Sequence, residues 1–485
     1  MKPTDRYGLE LSTTREAAEL YNEALDRILG LRNGASALLE DAVRADPRFA
    51  LAHAVLALIG QGCAETVDAT AAALAAAHEI AEHGSTPRER SFVNAVGILV
   101  SSAPEAGAAA VLRHIEEYPR DALMVSAAVP TISFTGVTAG EEAWSVIESL
   151  SGVYGEDWWY QGQLAFVRQE QLRYDEAEAL AAAALTAEPR AGHAVHARAH
   201  VFYETGEHQE GLAWLDEWIT ERGPSAQYLA HFSWHAALHE MMLGQDAAAR
   251  CRYQAQLAPP HVTGSRALID SASMLWRLRM TGSWQGPQPV AEVLDVVPAQ
   301  WLTAPETAFA ALHSALALAA AEDLDGLKKL GRYAAARGKP EFPEIIAPLC
   351  NALAAVVQER WHVAIPLLEK MVPEQPRLGG SAAQQEAIEE TLLHALIASG
   401  RHGQAAVVLS ARLDRRPARL DRSRLQAAQA AHYPARQRTV LGAPPVAGAR
   451  AGGSVRVHTR RSVVVGGREA DMAEMIGELE ERYVD

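Results

Sequence analysis

The sequence predicts an all-α fold built from helix hairpins that repeat along the chain. Prolines of similar local context are separated by 72, 70, 35 and 35 residues, which is one or two units of 35; they are Pro47, Pro119, Pro189, Pro224 and Pro259. A period of this length is typical of two-helix repeats. Strand-like alternation of apolar and polar residues is nearly absent from the repeat region. The expected architecture is a curved or closed α-solenoid with a short irregular C-terminal tail.

One unit shows how each hairpin arises. A first helix is expected over 164–172, a turn at 173–175 and a second helix over 176–187. Tyr174, Ala177 and Pro189 occupy the turn, small-residue and terminal-proline positions of the tetratricopeptide pattern. The same reading predicts further helical segments over 193–204, 211–219, 228–243, 266–280, 308–321, 345–371 and 386–413.

Three segments of different character are expected. The tetratricopeptide-like α-solenoid covers 1–433. Residues 434–468 contain seven arginines, no acidic residue and a Gly/Pro-rich stretch, so they form a basic linker or tail. Residues 469–485 predict a short acidic helix. The favoured interpretation of 434–485 is a disordered extension. Alternatively, the basic segment lies across the acidic body, or the final helix docks on a second copy and makes a homodimer.

Composition excludes several classes of partner. The chain has 485 residues and a net charge of −16, which disfavours binding to nucleic acid or to an anionic membrane surface. No run of apolar residues is long enough to span a bilayer, and no signal peptide is recognisable. The three cysteines are far apart and outside any CxxC spacing, so neither a disulfide framework nor a thiolate zinc site is indicated. We expect a cytoplasmic protein.

The candidate site comes from polar groups that recur with the repeat. His196 and His200 are echoed 35 residues later by His231 and His235, and residues four apart share one helix face. One further shift leads to Arg266 and Asp270. All of these positions fall in first helices, so two lateral rows are expected. Arg266 should align with His196 and His231, and Asp270 with His200 and His235.

Three interpretations of these rows remain open. The imidazoles could hold Zn²⁺ with Asp270 as a further ligand or orienting acceptor, but no recognised spacing such as HExxH occurs, so neither a metal nor a cofactor is predicted. A histidine could instead act as acid or base beside an anion bound by Arg266. The third interpretation is structural: buried histidines hydrogen-bond across the stack. His193 could extend one row, while Trp234 and Trp276 could form the walls of an apolar pocket.

Two functions follow from these interpretations. The favoured one is binding of a small, anionic molecule in a histidine-rich inner cavity. His196, His200, His231, His235 and Asp270 would supply acid, base or ligand groups, and whether the site is catalytic stays open. The alternative is an adaptor that captures a peptide or partner protein on its concave face without catalysis.

Several stretches also resemble a known family. They are LSTTREAAELYNEAL at 11–25, DPRFALAH at 46–53, TPRER at 86–90, the histidine-rich run at 193–215, HFSWHAAL at 231–238 and DSASMLWRLRMTG at 270–282. In this order the chain resembles the family of tetratricopeptide repeat protein thirty-eight and its bacterial homologues over 5–432. The resemblance implies the helical-repeat fold and functional histidines at His196, His200, His231, His235 and His313, with an aspartate at Asp270. It implies no settled reaction.

The chain departs from that family at two places. A late GGSHAQRD-like motif has Ala382, Gln385 and Glu386 where the family has histidine, arginine and aspartate. A second expected histidine is replaced by Phe92. If these groups belonged to one site with the earlier histidines, the departures would imply a changed substrate or binding without turnover.

Overall fold

The computed structural model describes residues 2–60, 67–132, 136–225 and 228–432, and within these ranges the chain is helical throughout its regular structure. The N-terminal helices are α1 (Arg15–Leu29), α2 (Ala35–Ala45), α3 (Ala50–Gly60), α4 (Val67–Ala81), α5 (Pro87–Ser101), α6 (Pro104–Glu117), α7 (Ala122–Ala128), α8 (Gly140–Ser149) and α9 (Ser151–Tyr154). In the described residues, extended pairing is confined to an isolated antiparallel bridge between Thr4 and Glu10.

The central helices carry the candidate site. They are α10 (Trp158–Glu170), α11 (Tyr174–Ala187), α12 (Gly192–Thr205), α13 (His208–Glu221), α14 (Leu229–Met242), α15 (Asp246–Arg252), α16 (Gly264–Arg266), α17 (Ser273–Met280), α18 (Val290–Asp295) and α19 (Ala299–Thr303). The C-terminal helices are α20 (Ala308–Ala320), α21 (Leu324–Ala335), α22 (Ala347–Val357), α23 (Trp361–Met371), α24 (Ala382–Gln385), α25 (Ala387–Ala398), α26 (His402–Arg415) and α27 (Arg419–His432).

Helices that follow one another in the chain pack as pairs. Such pairs include α1 with α2, α3 with α4, α5 with α6, α10 with α11 and α26 with α27. The arrangement agrees with the predicted helical repeat. The predicted basic segment 434–468 and acidic helix 469–485 lie outside the described residues. Among the described helices, none combines the length and apolar character needed to cross a bilayer.

The hairpin predicted over 164–187 is confirmed, but its first helix begins earlier than expected. Asp157 caps α10 by accepting hydrogen bonds from the backbone N–H groups of Trp159 and Tyr160, at 3.0 and 3.2 Å. A carboxylate at this position satisfies N–H groups that have no partner inside the helix. The cap therefore extends α10 back to Trp158, and Leu172 turns the chain with a positive φ of 60°.

First helices of successive hairpins lie side by side at the centre of the fold. α10 packs on α12, α12 on α14, and α14 on the segment Ala267–Ala272 that precedes α17. The contact between the hairpin of α10 and α11 and the following helix α12 is lined by small buried residues; they are Ala165, Ala181, Ala184, Ala191, Ala194 and Ala197. Small side chains let helix axes approach closely, which brings side chains on adjacent first helices into contact.

Gly162 marks the closest approach of α10 to α12. A Cβ atom at this position would lie 2.9 Å from the backbone nitrogen of Ala194, closer than real Cβ contacts allow. The absence of a side chain at Gly162 therefore sets the separation between these two helices.

We expect Gly162→Ala to destabilise the protein by about 1–3 kcal/mol, because overpacking would outweigh the better helix propensity of alanine. Chemical denaturation would measure the change. Gly152→Ala in α9 is the matched control, since a Cβ atom there would meet nothing within 4 Å. Equal stability of both variants would contradict the proposed close contact.

The continuous helix predicted over 266–280 is interrupted. α16 ends at Arg266, Ala267–Ala272 is π-helical, and the α-helix resumes at Ser273. The Ser271 hydroxyl donates to the carbonyl oxygen of Leu257 at 2.6 Å and thereby anchors this segment to the preceding hairpin. Because a π-helix bonds residue i to i+5, it rotates the following side chains relative to a regular α-helix.

A buried ionic cluster joins the C-terminal helices to α12. Arg416 pairs with Glu386 and with Glu204 at 3.0 Å, and the Tyr203 hydroxyl donates to Glu386 at 2.6 Å. Burial opposes ionisation of Glu386, but the guanidinium groups of Arg412 and Arg416 outweigh burial and hold the pKa of this carboxyl below its usual range. Residues more than 180 positions apart are thus fastened together.

We expect Arg416→Met to cost about 3–5 kcal/mol of unfolding free energy, because it removes the guanidinium that pairs with both Glu204 and Glu386. Glu386 would keep only its contacts with Arg412 and Tyr203. The matched control is Arg415→Met, which removes a largely exposed arginine paired with Glu389 and should cost about 1 kcal/mol or less. Denaturant titration of both variants measures the difference. The cluster would be energetically unimportant if the two variants unfolded at the same denaturant concentration.

Acid should weaken the same cluster. Since the pKa of Glu386 is depressed in the folded protein, its contribution to stability is present above the unfolded-state pKa and is lost as the pH falls through the folded-state pKa. We therefore expect the difference in unfolding free energy between the wild type and Glu386→Gln to shrink as the pH is lowered below the ordinary glutamate range. A pH-independent difference would show that this charge does not stabilise the fold.

Candidate functional site

The four histidines of the predicted rows converge in the protein interior. His196 and His200 lie on α12, and His231 and His235 lie on α14; none is more than 8% exposed. The ring centroids of His196 and His231 are 5.0 Å apart, and those of His200 and His235 are 4.5 Å apart. The four imidazoles therefore form one cluster, as the repeat spacing predicted.

Ring nitrogen atoms of neighbouring histidines lie within hydrogen-bonding distance of one another. The Nε2 atom of His196 lies 3.1 Å from Nε2 of His200 and 3.1 Å from Nε2 of His231. The His231 Nδ1–H group donates to Oδ1 of Asp270 at 2.8 Å. When an imidazole with a single proton donates from Nδ1, its Nε2 presents a lone pair. The His231 lone pair is therefore directed towards His196.

The contact between His196 and His231 requires a proton on Nε2 of His196, because the two lone pairs would otherwise face each other. His200 lies at the same 3.1 Å distance from this nitrogen. Neither ring nitrogen of His235 has a hydrogen-bond partner within the described part of the chain. A buried polar atom without a partner costs about 1–3 kcal/mol. Hydrogen bonds within the described residues thus satisfy only part of this cluster.

Burial keeps most of these rings in the uncharged form. Burial, together with the nearby His231, lowers the pKa of His200 to about 3. Burial and the neighbouring histidines hold the pKa values of His196 and His235 well below the usual range. Uncharged imidazoles are metal ligands, whereas acid–base exchange near neutral pH requires a pKa near 7. The acid–base role predicted for His196, His200 and His235 gains no support from these lowered pKa values.

Asp270 is fully buried and occupies a different register from the predicted one. The sequence aligned it with His200 and His235, but it bonds to His231. The π-helical turn Ala267–Ala272 carries Asp270 and accounts for the shift. Burial disfavours the carboxylate, but His231 and Arg266 outweigh burial and lower the pKa of Asp270. A carboxylate that receives the Nδ1–H group fixes the histidine's tautomer and orientation.

Arg266 borders the site near the surface. Its Nη1 atom lies 3.5 Å from Oδ2 of Asp270, and its Nη2 atom donates to the carbonyl oxygen of Ile132 at 3.2 Å. The guanidinium also lies over the Tyr228 ring, 5.2 Å from its centroid. The Arg266 side chain is 23% exposed, whereas Asp270 is inaccessible. The arginine predicted to bind an anion therefore stands at the boundary between the centre and the exterior.

Two further histidines are buried near the centre. His193 lies at the start of α12, and burial lowers its pKa to about 3. His313 on α20 has no hydrogen-bond partner among the described residues, and its ring lies 4.6 Å from that of Phe309. Burial lowers the pKa of His313 to about 3 even though Asp270 acts in the opposite direction.

The two predicted tryptophans have different environments. The Trp234 ring is stacked on His231 with centroids 5.6 Å apart, so it forms a wall of the centre. Trp276 is directed towards α25, where its Nε1 atom donates to the Thr391 hydroxyl at 2.9 Å. The structure thus brings Trp234 to the histidines and assigns Trp276 to a helix contact.

Sequence reasoning missed the aromatic residue on the opposite wall. Phe166 of α10 is stacked on His196 with centroids 5.1 Å apart and meets His200 edge-on at 5.5 Å. The position 35 residues before His200 is Ala165, so the repeat period predicts a site position next to Phe166 and not Phe166 itself. A second pair was also missed: His208 and His239 approach to 3.1 Å between their Nδ1 atoms.

Residues that depart from the resembled family have other partners. Glu386 belongs to the ionic cluster with Arg416, and Gln385 donates to the carbonyl oxygens of Gly379 and Gly380. Phe92 packs in the N-terminal core beside His114. Phe92 therefore belongs to a different hydrophobic cluster from the buried residues of the helices that follow α14.

The predicted inner cavity does not coincide with either of two surface clefts, of about 580 and 500 Å³. Arg190 and Arg222 line the first cleft, and His208 and Arg422 line the second. None of the predicted site residues lines either cleft.

His196, His231 and His235 form the set best placed to hold a metal ion. One nitrogen from each can be chosen so that all three lie within 4.8 Å of one another. Tetrahedral Zn²⁺ with bonds of about 2.0–2.1 Å places its ligand nitrogens about 3.4 Å apart. The 3.1 Å separation of His196 and His231 is close to this value, and one nitrogen of His235 lies within 4.8 Å of both.

A comparison of the sequence with known protein families finds no match.

Proposed function

We propose that this protein binds a divalent transition-metal ion, such as Zn²⁺, through His196, His231 and His235. The convergence of imidazole nitrogens on one buried point is the observation that carries the proposal. Three histidines on two adjacent helices are a common ligand set for zinc, and the fourth position then remains open to water or another ligand. His200 borders this centre through its 3.1 Å approach to His196.

The surroundings favour a cation over a purely structural hydrogen-bond network. A structural network of buried polar groups is expected to be fully satisfied. Here both nitrogens of His235 and Oδ2 of Asp270 lack hydrogen-bond partners in the part of the chain that the structure describes. A bound cation would use the His235 lone pair directly. It would also strengthen the His231–Asp270 contact, because coordination makes the Nδ1–H group a better donor.

The centre belongs to a helical array that we propose to be a tetratricopeptide-like α-solenoid. The 35-residue period and the packing of consecutive helices in pairs support this architecture. Binding of a small molecule and a cytoplasmic location remain predictions from the sequence. Peptide capture on a concave face remains the alternative function.

Metal binding can be tested on the intact chain after treatment with a chelator and dialysis. We expect one Zn²⁺ or Co²⁺ per chain by elemental analysis, and visible absorption from Co²⁺ in a four-coordinate site. His231→Ala should abolish this binding, while His261→Ala, which alters an exposed histidine, should not. Circular dichroism should show equal helical content in both variants. A wild-type chain that stays free of metal at micromolar Zn²⁺ and Co²⁺ would refute the proposal.

Asp270 is expected to act as a positioning residue. Asp270→Asn should weaken Co²⁺ binding by about 10–100-fold, because it removes the charge that holds His231 in the ligating tautomer. Competition with a chelator of known affinity would measure this change. Asp325→Asn provides a control with an exposed carboxylate on α21. Unchanged affinity in Asp270→Asn would mean that the carboxylate does not orient the ligand.

A further inference from the structure

We infer that the open coordination position takes a small molecule bearing a carboxylate or phosphate group, and that Arg266 binds this oxyanion beside the metal. The inference rests on the proposed metal centre and names its ligand class. It depends on three features of the site: its charge balance, the unused donors of Arg266 and the graded exposure of its components.

Charge balance comes first. The proposed ligands are imidazoles, which bind a metal ion as neutral lone-pair donors, and Asp270 is the carboxylate that contacts one of them, His231. A divalent ion together with the Arg266 guanidinium would exceed the single negative charge of Asp270 by two positive charges. Uncompensated charge is costly in a buried site, so an anion at the open position would relieve the excess.

The second feature is that the described residues use only some of the N–H donors of Arg266. A guanidinium has five N–H donors. One bond goes to the carbonyl oxygen of Ile132, and the 3.5 Å contact with Asp270 is longer than a good charge-assisted hydrogen bond. The Tyr228 ring holds the guanidinium through its face and leaves the N–H groups at its edge available. Guanidinium groups recognise carboxylate and phosphate through paired N–H donors.

The third feature concerns access. His231, His235 and Asp270 are almost completely buried, whereas His196 is 8% exposed and the Arg266 side chain is 23% exposed. Exposure therefore increases from Asp270 towards Arg266 and His196. A ligand arriving from solvent would meet the arginine before it reached the metal.

The test uses the Co²⁺-loaded full-length chain, with inorganic phosphate and acetate as separate probes. We expect at least one oxyanion to change the visible Co²⁺ spectrum in a saturable manner. Arg266→Gln should weaken that binding by about tenfold or more, as expected for the loss of a charge-assisted hydrogen bond. Both proteins are compared at saturating Co²⁺, so that a change in metal affinity, which could follow from the contact of Arg266 with Asp270, does not enter the oxyanion titration. A response to phosphate alone or to acetate alone would identify the preferred group.

Arg279→Gln is the matched control. Arg279 is also partly exposed, pairs with Glu322 at 2.8 Å and lies over the Trp276 ring, 6.0 Å from its centroid. This variant should bind the oxyanion like the wild type. If Co²⁺ binds but neither oxyanion changes its spectrum, or if Arg266→Gln binds as tightly as the wild type, this inference fails and the metal proposal stands. If Co²⁺ does not bind the wild type, both fail.

Discussion

The close lateral packing of α12 against α14 is the constraint on which the rest of the centre depends. Each helix carries two histidines four residues apart, so each pair already shares a helix face. Packing then aligns the two faces, and the His200 and His235 ring centroids come within 4.5 Å. Alanines behind α12, and Gly162 on α10, keep the stack tight. Larger residues at these positions would push α10 away from α12, and would move Phe166 away from His196 without changing any histidine.

Close packing also has an electrostatic consequence. Buried imidazoles lose hydration, which lowers the pKa of His200 to about 3 and makes these side chains lone-pair donors at neutral pH. Asp270 keeps its charge because His231 and Arg266 offset the effect of burial. The centre thus combines uncharged ligands with a single oriented carboxylate. This combination suits a divalent cation better than it suits acid–base exchange near neutral pH.

The C-terminal helices also hold α12 in place through an ionic cluster. Tyr203 is one turn beyond His200 on α12, and its hydroxyl donates to Glu386, which also pairs with Arg416. Paired charges can be buried because each guanidinium compensates a carboxylate. The residue that departs from the resembled family, Glu386, therefore has a structural partner in this chain. It fastens α12 to helices that follow it by almost two hundred residues.

Periodicity determined much of this protein in advance. The 35-residue spacing of prolines and histidines, together with the apolar pattern, predicted an all-helical repeat and the convergence of His196, His200, His231 and His235, because both follow from local helix geometry and one repeated translation. The pairing of Asp270 with His231 was beyond that reasoning. A π-helical turn breaks the regular register, and such a turn is set by contacts such as Ser271 with Leu257.

Other features of the site also depend on contacts between distant parts of the chain. Phe166 reaches His196 from a preceding hairpin, and Arg266 meets the carbonyl oxygen of Ile132, which lies 134 positions earlier. The sequence of a single repeat contains no pattern that predicts either contact. The sequence alone thus determined which side chains recur on the inner helix faces, since recurrence is a local property. Their tautomers, charge states and exposure were decided only by folding, because these depend on neighbours from distant parts of the chain.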